Sequence, residues 1–138
     1  MKLAGKIGVG LIVIGLSLGF SAAVYAQQAE GPDRSITKAK LLYDSGRYQD
    51  AFNELVTLLG QGKEYDPKMM VEIYKYLAFC YSAYDRKDLS KKQFKNALKY
   101  EPTMALDLIF TSPKIVEVFN EAKAEFIKEG GMAKAEAE

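Results

Sequence analysis

The stretch from Tyr74 to Pro102 constrains the fold of this chain more than any other part of its sequence. In its first half, aromatic, leucine and small residues recur every three or four positions: Tyr74, Leu77, Ala78 and Tyr81. After a short break, a second set follows at similar spacing and a proline closes it: Ser90, Phe94, Ala97 and Pro102. Because residues three and four apart share one face of an α-helix, the stretch predicts two amphipathic helices joined by a turn.

These two patterns resemble the tetratricopeptide (TPR) repeat, a 34-residue helix-turn-helix unit with the pattern W-x2-L-G-x2-Y, then A-x3-F, then P. The resemblance implies an all-α fold in which antiparallel helix pairs stack as an α-solenoid. It also implies a concave groove that binds a partner. After the repeats, Leu-Asp followed by Ser-Pro-Lys-Ile and Phe looks similar to the corresponding segment of bacterial envelope TPR proteins, which implies a protein of the cell envelope.

A first helix pair precedes this stretch. Apolar residues at helical spacing occupy two runs: Ile36, Ala39, Leu42 and Tyr43, and then Tyr48, Ala51, Phe52, Leu55, Leu58 and Leu59. Gly46 separates the runs, and glycine is the usual residue where a helix ends in a left-handed turn. Residues 35–60 therefore predict a first repeat. Ala51 corresponds to Ser90, which is 39 positions away rather than 34, so five residues are inserted between the units.

The remaining elements are predicted from cap signals. Asp66-Pro67 and Ser112-Pro113 each combine an N-cap side chain with proline at the first helical position. We expect helices at 67–84, at 89–100 with Asp88 as cap, and after Pro113. The last helix places five apolar residues on one face, and a terminal helix of this kind covers the open end of a repeat array: Ile115, Val118, Phe119, Ala122 and Phe126.

The predicted organisation is a segment at 1–26, a linker at 27–34, two TPR-like repeats at 35–60 and 67–101, a linker and capping helix at 102–129, and a flexible tail at 130–138. Lys2 and Lys6 precede an uncharged stretch that ends in Val24-Tyr25-Ala26. This pattern is typical of a cleaved Sec-type signal peptide and predicts export to the periplasm or cell envelope. The alternative is an uncleaved anchor, since about 20 apolar residues span a bilayer.

The charge balance argues against nucleic-acid binding. Residues 1–26 hold two lysines and no acid, so the rest of the chain carries 17 basic and 18 acidic residues. Nucleic-acid binding depends on a marked basic excess, which this chain lacks. The single cysteine, Cys80, excludes an internal disulfide. The fold must therefore depend on its apolar core.

Nothing in the sequence indicates an enzyme, a cofactor or a metal site. The chain contains no histidine, which is the commonest general base and metal ligand. Cys80 lies within an aromatic helix and is interpreted as a buried thiol rather than a nucleophile. Carboxylate pairs such as Glu117 and Glu121 alternate with lysines and are interpreted as a solvated helix face.

The TPR resemblance implies a partner-binding groove lined by the first helix of each pair. The matching positions are Lys40, Tyr43 and Asp44 in the first unit and Glu72, Lys75, Phe79 and Ser82 in the second. Phe79 is interpreted either as an anchor for a bound peptide or as a residue covered by the last helix. The Lys/Asn set with which some TPR domains hold a C-terminal carboxylate is not reproduced.

Three lysines, Lys91, Lys95 and Lys99, recur every four residues and predict a basic outer face on the fourth helix. Such a face attracts anionic lipid headgroups or an acidic partner, whereas the simpler interpretation is a solvated surface. Membrane contact is expected only through this face or through an uncleaved N-terminal segment.

The sequence thus favours a protein-protein interaction module that binds another protein or peptide. The alternative is a structural subunit that self-associates as a homo-oligomer or builds an envelope complex.

Overall fold

A computed structural model describes residues 32–135, and all the regular secondary structure within this range is α-helical. The predicted segment at 1–26 and most of the linker at 27–34 lie outside the described residues. The helices are α1 (Pro32–Asp44), α2 (Tyr48–Gly60), α3 (Pro67–Ala83), α4 (Lys87–Tyr100), α5 (Pro113–Lys128) and α6 (Gly131–Ala135). The all-α prediction is confirmed.

Two helices begin at the predicted caps. Asp66 accepts a hydrogen bond from the backbone N–H of Met69 at 3.0 Å, and Pro67 opens α3. Ser112 likewise accepts from the N–H of Ile115 at 3.4 Å before α5. In both places the side chain satisfies one of the first backbone donors, which have no partner inside the helix.

Two helices begin elsewhere than the sequence indicates. The first helix begins at Pro32, three residues before the periodicity that starts near Ser35, because proline suits the first turn, where its missing N–H costs no hydrogen bond. Asp88 does not cap α4, which begins at Lys87 after Arg86 with no capping side chain. Asp88 instead lies in the first turn, where a carboxylate interacts favourably with the positive end of the helix dipole.

The turns that close α1 and α3 have the same hydrogen-bond pattern. Gly46 N–H donates to Tyr43 and Arg47 N–H donates to Leu42, at 2.9 and 2.8 Å. At positions 39 residues later, the equivalent bonds run from Asp85 to Ser82 and from Arg86 to Tyr81, at 3.2 and 2.9 Å. Both are Schellman motifs, with a positive φ of 75° at Gly46 and 58° at Asp85. The turn therefore recurs at the offset of 39 expected from Ala51 and Ser90.

Two apolar clusters form the core, and α3 contributes to both. The first joins α1, α2 and α3, and its buried members include Leu55, Ile73 and Cys80. The second joins α3, α4 and α5. Phe94 lies at its centre with no exposed surface, and its ring centroid is 6.0 Å from Phe79 and 5.2 Å from Phe119.

The last helices cover the second cluster. The five apolar residues predicted for one face of α5 are all buried, which confirms that face. Within the tail predicted at 130–138, residues 131–135 form the short helix α6, which packs on α4 and α5 and brings Met132 against the core. A Cβ on Gly131 would lie 2.4 Å from the Phe126 ring, so glycine is what lets α6 approach this closely. Residues 136–138 lie outside the described range.

Candidate functional site

A cavity of about 430 Å³ lies between the end of α1, the middle of α3 and the segment 105–111, which connects α4 to α5. We call it the groove cavity. Its lining combines aromatic, charged and loop residues: Tyr43, Asp44, Lys75, Tyr76, Phe79, Ala105, Leu106, Asp107, Phe110 and Thr111. Two helices of the core and a loop therefore build one concave surface.

Aromatic rings form the floor of the groove cavity. The Tyr43 ring centroid lies 5.7 Å from Tyr76 and 5.6 Å from Phe79, and those two rings are 5.2 Å apart. Burial, reinforced by the neighbouring Tyr48, raises the pKa of Tyr43 to about 12. The hydroxyl of Tyr43 therefore stays neutral at physiological pH and offers a hydrogen bond beside an apolar surface.

A compact charge triad lies beside the floor. Glu72 binds the ammonium groups of both Lys40 and Lys75. The two ammonium nitrogens lie 5.4 and 5.5 Å from the centroid of the Tyr76 ring. Burial by itself would raise the pKa of Glu72, but the hydrogen bonds from the two lysines outweigh it and lower the pKa. Lys75 therefore faces the cavity sharing one carboxylate with Lys40, and the triad keeps a net charge of +1.

The segment 105–111 gives the groove cavity an apolar wall. Met104, just before it, is buried in the core. Asp107 Oδ1 accepts hydrogen bonds from the backbone N–H groups of Ile109 and Phe110, at 2.8 and 3.3 Å, and so holds the turn. The side chains at the tip are nonetheless solvent-exposed, with relative exposures of 72% for Leu108, 86% for Ile109 and 87% for Phe110.

The structure brings together most of the predicted groove residues. Tyr43, Asp44, Lys75 and Phe79 line the cavity. Lys40 and Glu72 lie beside it, through their ion pairs with each other and with Lys75.

Ser82 does not belong to this site. It is buried, and its hydroxyl lies 2.8 Å from that of Ser90, so it faces α4 rather than the groove.

Phe79 is 9% exposed and packs against Phe94 of α4 as well as the two tyrosines. Phe79 therefore forms part of the cavity floor and is not a side chain that projects freely to anchor a bound peptide.

Tyr76, Asp107 and Phe110 were missed as site residues. The signal for Phe110 was the run Leu108-Ile109-Phe110 between two prolines, Pro102 and Pro113. Three consecutive large apolar residues in a predicted linker indicate either a buried strand or an exposed contact surface, and periodicity cannot distinguish the two.

The lysines predicted to form a basic outer face on α4 do not all point outward. Each of three lysines on α4 binds a carboxylate of α5, or just after it, 34 positions later in the chain: Lys87–Glu121 at 2.6 Å, Lys91–Glu125 at 2.7 Å and Lys95–Glu129 at 2.9 Å. We call this set the charge ladder. Lys91 and Lys95 thus point toward α5 rather than outward, because α5 presents glutamates at matching spacing. Lys99 remains exposed and donates to Asn96.

Reversing one charge of the ladder is expected to lower the melting temperature, and reversing its partner is expected to restore part of the loss. Lys91→Glu places two carboxylates together, whereas Lys91→Glu combined with Glu125→Lys re-forms the pair. The restoration is partial because the exchanged charges also lie near Glu121, at 3.9 Å, and Lys95, at 3.4 Å. Lys92→Glu, at an exposed neighbouring position, makes the same change in net charge and is the control. The measurement is thermal unfolding followed by circular dichroism at low salt. A double variant no more stable than Lys91→Glu would mean that the re-formed pair does not exceed the repulsion from Glu121 and Lys95.

Cys80 is buried, as predicted from its place in α3. Burial raises the pKa of its thiol to about 12, so the reactive thiolate is scarce at neutral pH. We expect Ellman's reagent to leave the folded protein unlabelled and to react with one thiol per chain in concentrated guanidinium chloride. Rapid labelling without denaturant would contradict this burial.

Two further features concern the described range 32–135. No group of three or more histidine, cysteine, aspartate or glutamate side chains is arranged there to hold a metal ion. None of the helices in this part of the chain is both long and apolar enough to cross a membrane.

No protein family, curated protein or solved structure matches this chain. The TPR resemblance, and the function that it implies, therefore remain predictions carried by the residues themselves.

Proposed function

We propose that this chain is an exported, TPR-like protein-protein interaction module that binds a segment of a partner protein in the groove cavity. The observation that carries the proposal is the pairing of a preformed aromatic floor with an exposed apolar wall at Phe110. Pockets that combine apolar and aromatic lining with a few polar groups are the usual form of binding sites.

The arrangement of the helices supports the solenoid part of the proposal. Each helix from α1 to α5 packs on the next one in sequence, and the Schellman turn recurs after 39 residues. A groove formed by the first helix of each pair is what the TPR resemblance implies, and α1 and α3 both contribute to the cavity. Export rests on the signal-like sequence of residues 1–26.

In-cell photo-crosslinking tests the proposal. A photo-reactive amino acid replaces Phe110, which is exposed on the cavity wall, and the matched control carries it at exposed Lys92 on α4. We expect a discrete partner band from position 110 that is absent from position 92, identified by mass spectrometry. Equal products from both positions, or none from position 110, would contradict binding in the groove.

A second candidate, a self-associating structural subunit, is favoured by the outer surface of α5. A shallow depression of about 530 Å³ there is lined in part by Leu108, Pro113 and Val116, where a further helix of a solenoid would pack. Repeat arrays are generally stable only with about three or more units. Light scattering over a range of concentrations distinguishes the candidates, since only self-association makes the mass of the protein rise with concentration.

A further inference from the structure

We propose that the groove cavity takes a short segment of a partner protein in which a large apolar residue lies next to an arginine or lysine. This inference rests on the proposed function and specifies its ligand. The apolar residue packs against Phe110 and the aromatic floor, and the basic side chain pairs with Asp44 and Asp107.

The apolar part of the recognition comes from the exposed tip of the 105–111 segment. Leu108, Ile109 and Phe110 together expose on the order of 450 Å² of mostly apolar surface, an area in the range of the largest patch on a typical soluble monomer. Phe110 is the residue of the three that lines the groove cavity, whereas Leu108 lines the depression on α5. Asp107 holds the turn by accepting two backbone hydrogen bonds. The tip is therefore a presented surface, and an apolar partner residue gains by removing it from water.

The charge of the cavity selects a cationic neighbour. Within the described residues, Asp44 makes no hydrogen bond or ion pair, and only one oxygen of Asp107 is engaged. Lys75, by contrast, already binds Glu72 and lies over the Tyr76 ring. Asp44 and Asp107 outweigh the single net positive charge of the Lys40–Glu72–Lys75 triad, so the groove cavity and the triad together are net negative. The first helix also ends at Asp44, where the helix dipole adds negative potential.

The aromatic floor adds to the preference for a basic side chain. Arginine and lysine bury their apolar stems against rings while their charged heads reach a carboxylate. Asp44 lies close enough to Tyr43 and Tyr76 to act with burial in raising the pKa of both. A cation entering beside Asp44 therefore meets rings and a carboxylate at the same point.

Two other occupants fit less well. A stable interface with a second copy buries about 800 Å² on each partner, which exceeds what this tip and cavity wall offer. A membrane surface with anionic headgroups is disfavoured because two carboxylates, Asp107 and Glu117, lie beside the tip. Both alternatives are outcomes of the test below.

The test is a selection with a random dodecapeptide library displayed on phage against the purified full-length protein. Selected peptides are then synthesised, and their Kd is measured by fluorescence anisotropy. We expect sequences with arginine or lysine within three residues of a large apolar residue. Asp44→Asn and Phe110→Ala should each weaken binding about tenfold, because each removes one charged or apolar contact. Asp88→Asn and Ile127→Ala, matched changes at exposed sites elsewhere, should leave Kd within about twofold.

A double-mutant cycle tests the charge pairing directly. Replacing the basic residue of the peptide by glutamine should raise the Kd about tenfold for the natural protein. The same replacement should change the Kd little for the Asp44→Asn variant. If the selected peptides lack a basic residue but their binding is still weakened by Phe110→Ala, this inference is overturned while the proposed function stays intact. Failure to select any peptide, or binding insensitive to Phe110→Ala, would overturn both. Phe110-dependent sedimentation with phosphatidylcholine vesicles, or Phe110-dependent self-association, would show that the tip serves a membrane or a second copy instead.

Discussion

Replacing Phe94 by alanine is expected to lower the free energy of unfolding by about 3–5 kcal/mol, the largest effect of any single substitution considered for this chain. Phe94 has no exposed surface, and its ring packs edge-on between Phe79 and Phe119. Alanine leaves a cavity that three helices border, and rigid helices cannot collapse fully into it. The measurement is urea unfolding followed by circular dichroism.

Phe94→Leu is the matched control, since leucine keeps most of the apolar volume. The leucine variant should lose less than half as much free energy of unfolding as the alanine variant, because the void that leucine leaves is smaller. Since small domains have total stabilities of about 5–15 kcal/mol, the alanine variant should be near the limit of folding. A loss below about 1 kcal/mol for Phe94→Ala would show that this residue is not the centre of the second cluster.

Replacing Ser90 by leucine is expected to lower the free energy of unfolding by about 3 kcal/mol, through overpacking and a lost hydrogen bond rather than a cavity. Ser90 has no exposed surface and joins α4 to α3 through two hydrogen bonds of 2.8 Å, to the Ala78 carbonyl and to the Ser82 hydroxyl. Leucine overfills the contact, and it also removes the hydrogen-bond partner of Ser82, which is itself buried. Urea unfolding again measures the loss.

Ser90→Ala separates the two contributions. It removes the hydroxyl without adding volume, so its cost should be about 1 kcal/mol. If leucine and alanine cost the same, the space between α3 and α4 is larger than the structure indicates. If alanine costs as much as predicted for leucine, the hydrogen bonds dominate and overpacking contributes little.

The helices and the core of this chain were largely predictable from local sequence. Asp66-Pro67 and Ser112-Pro113 identify helix starts because cap geometry depends only on neighbouring residues. The buried face of α5 followed from helical periodicity, and so did the burial of Cys80 within α3. These features are determined within one or two turns of a helix, so a single sequence contains the information that specifies them.

The errors concern contacts between distant residues. The outward direction predicted for Lys91 and Lys95 ignored the glutamates of α5, which lie 34 positions away in sequence. Ser82 was assigned to the groove by repeat position, but its hydroxyl is taken by Ser90. Phe110 was missed because its role depends on where the connection after α4 lies relative to α1 and α3. Periodicity cannot show which distant surfaces meet.

Because α3 belongs to both apolar clusters, opening the middle of the molecule requires more free energy than opening either end. Val71 and Phe79 of α3 pack in one cluster, and Ile73 and Leu77 pack in the other. Either terminal pair of helices can open while α3 stays docked on the remaining half. Amide hydrogens of α3 should therefore exchange with deuterium only through global unfolding, while those of α1 and α6 exchange through smaller openings. The packing of the central helix is thus the last to be lost, because both apolar clusters must open before α3 is released.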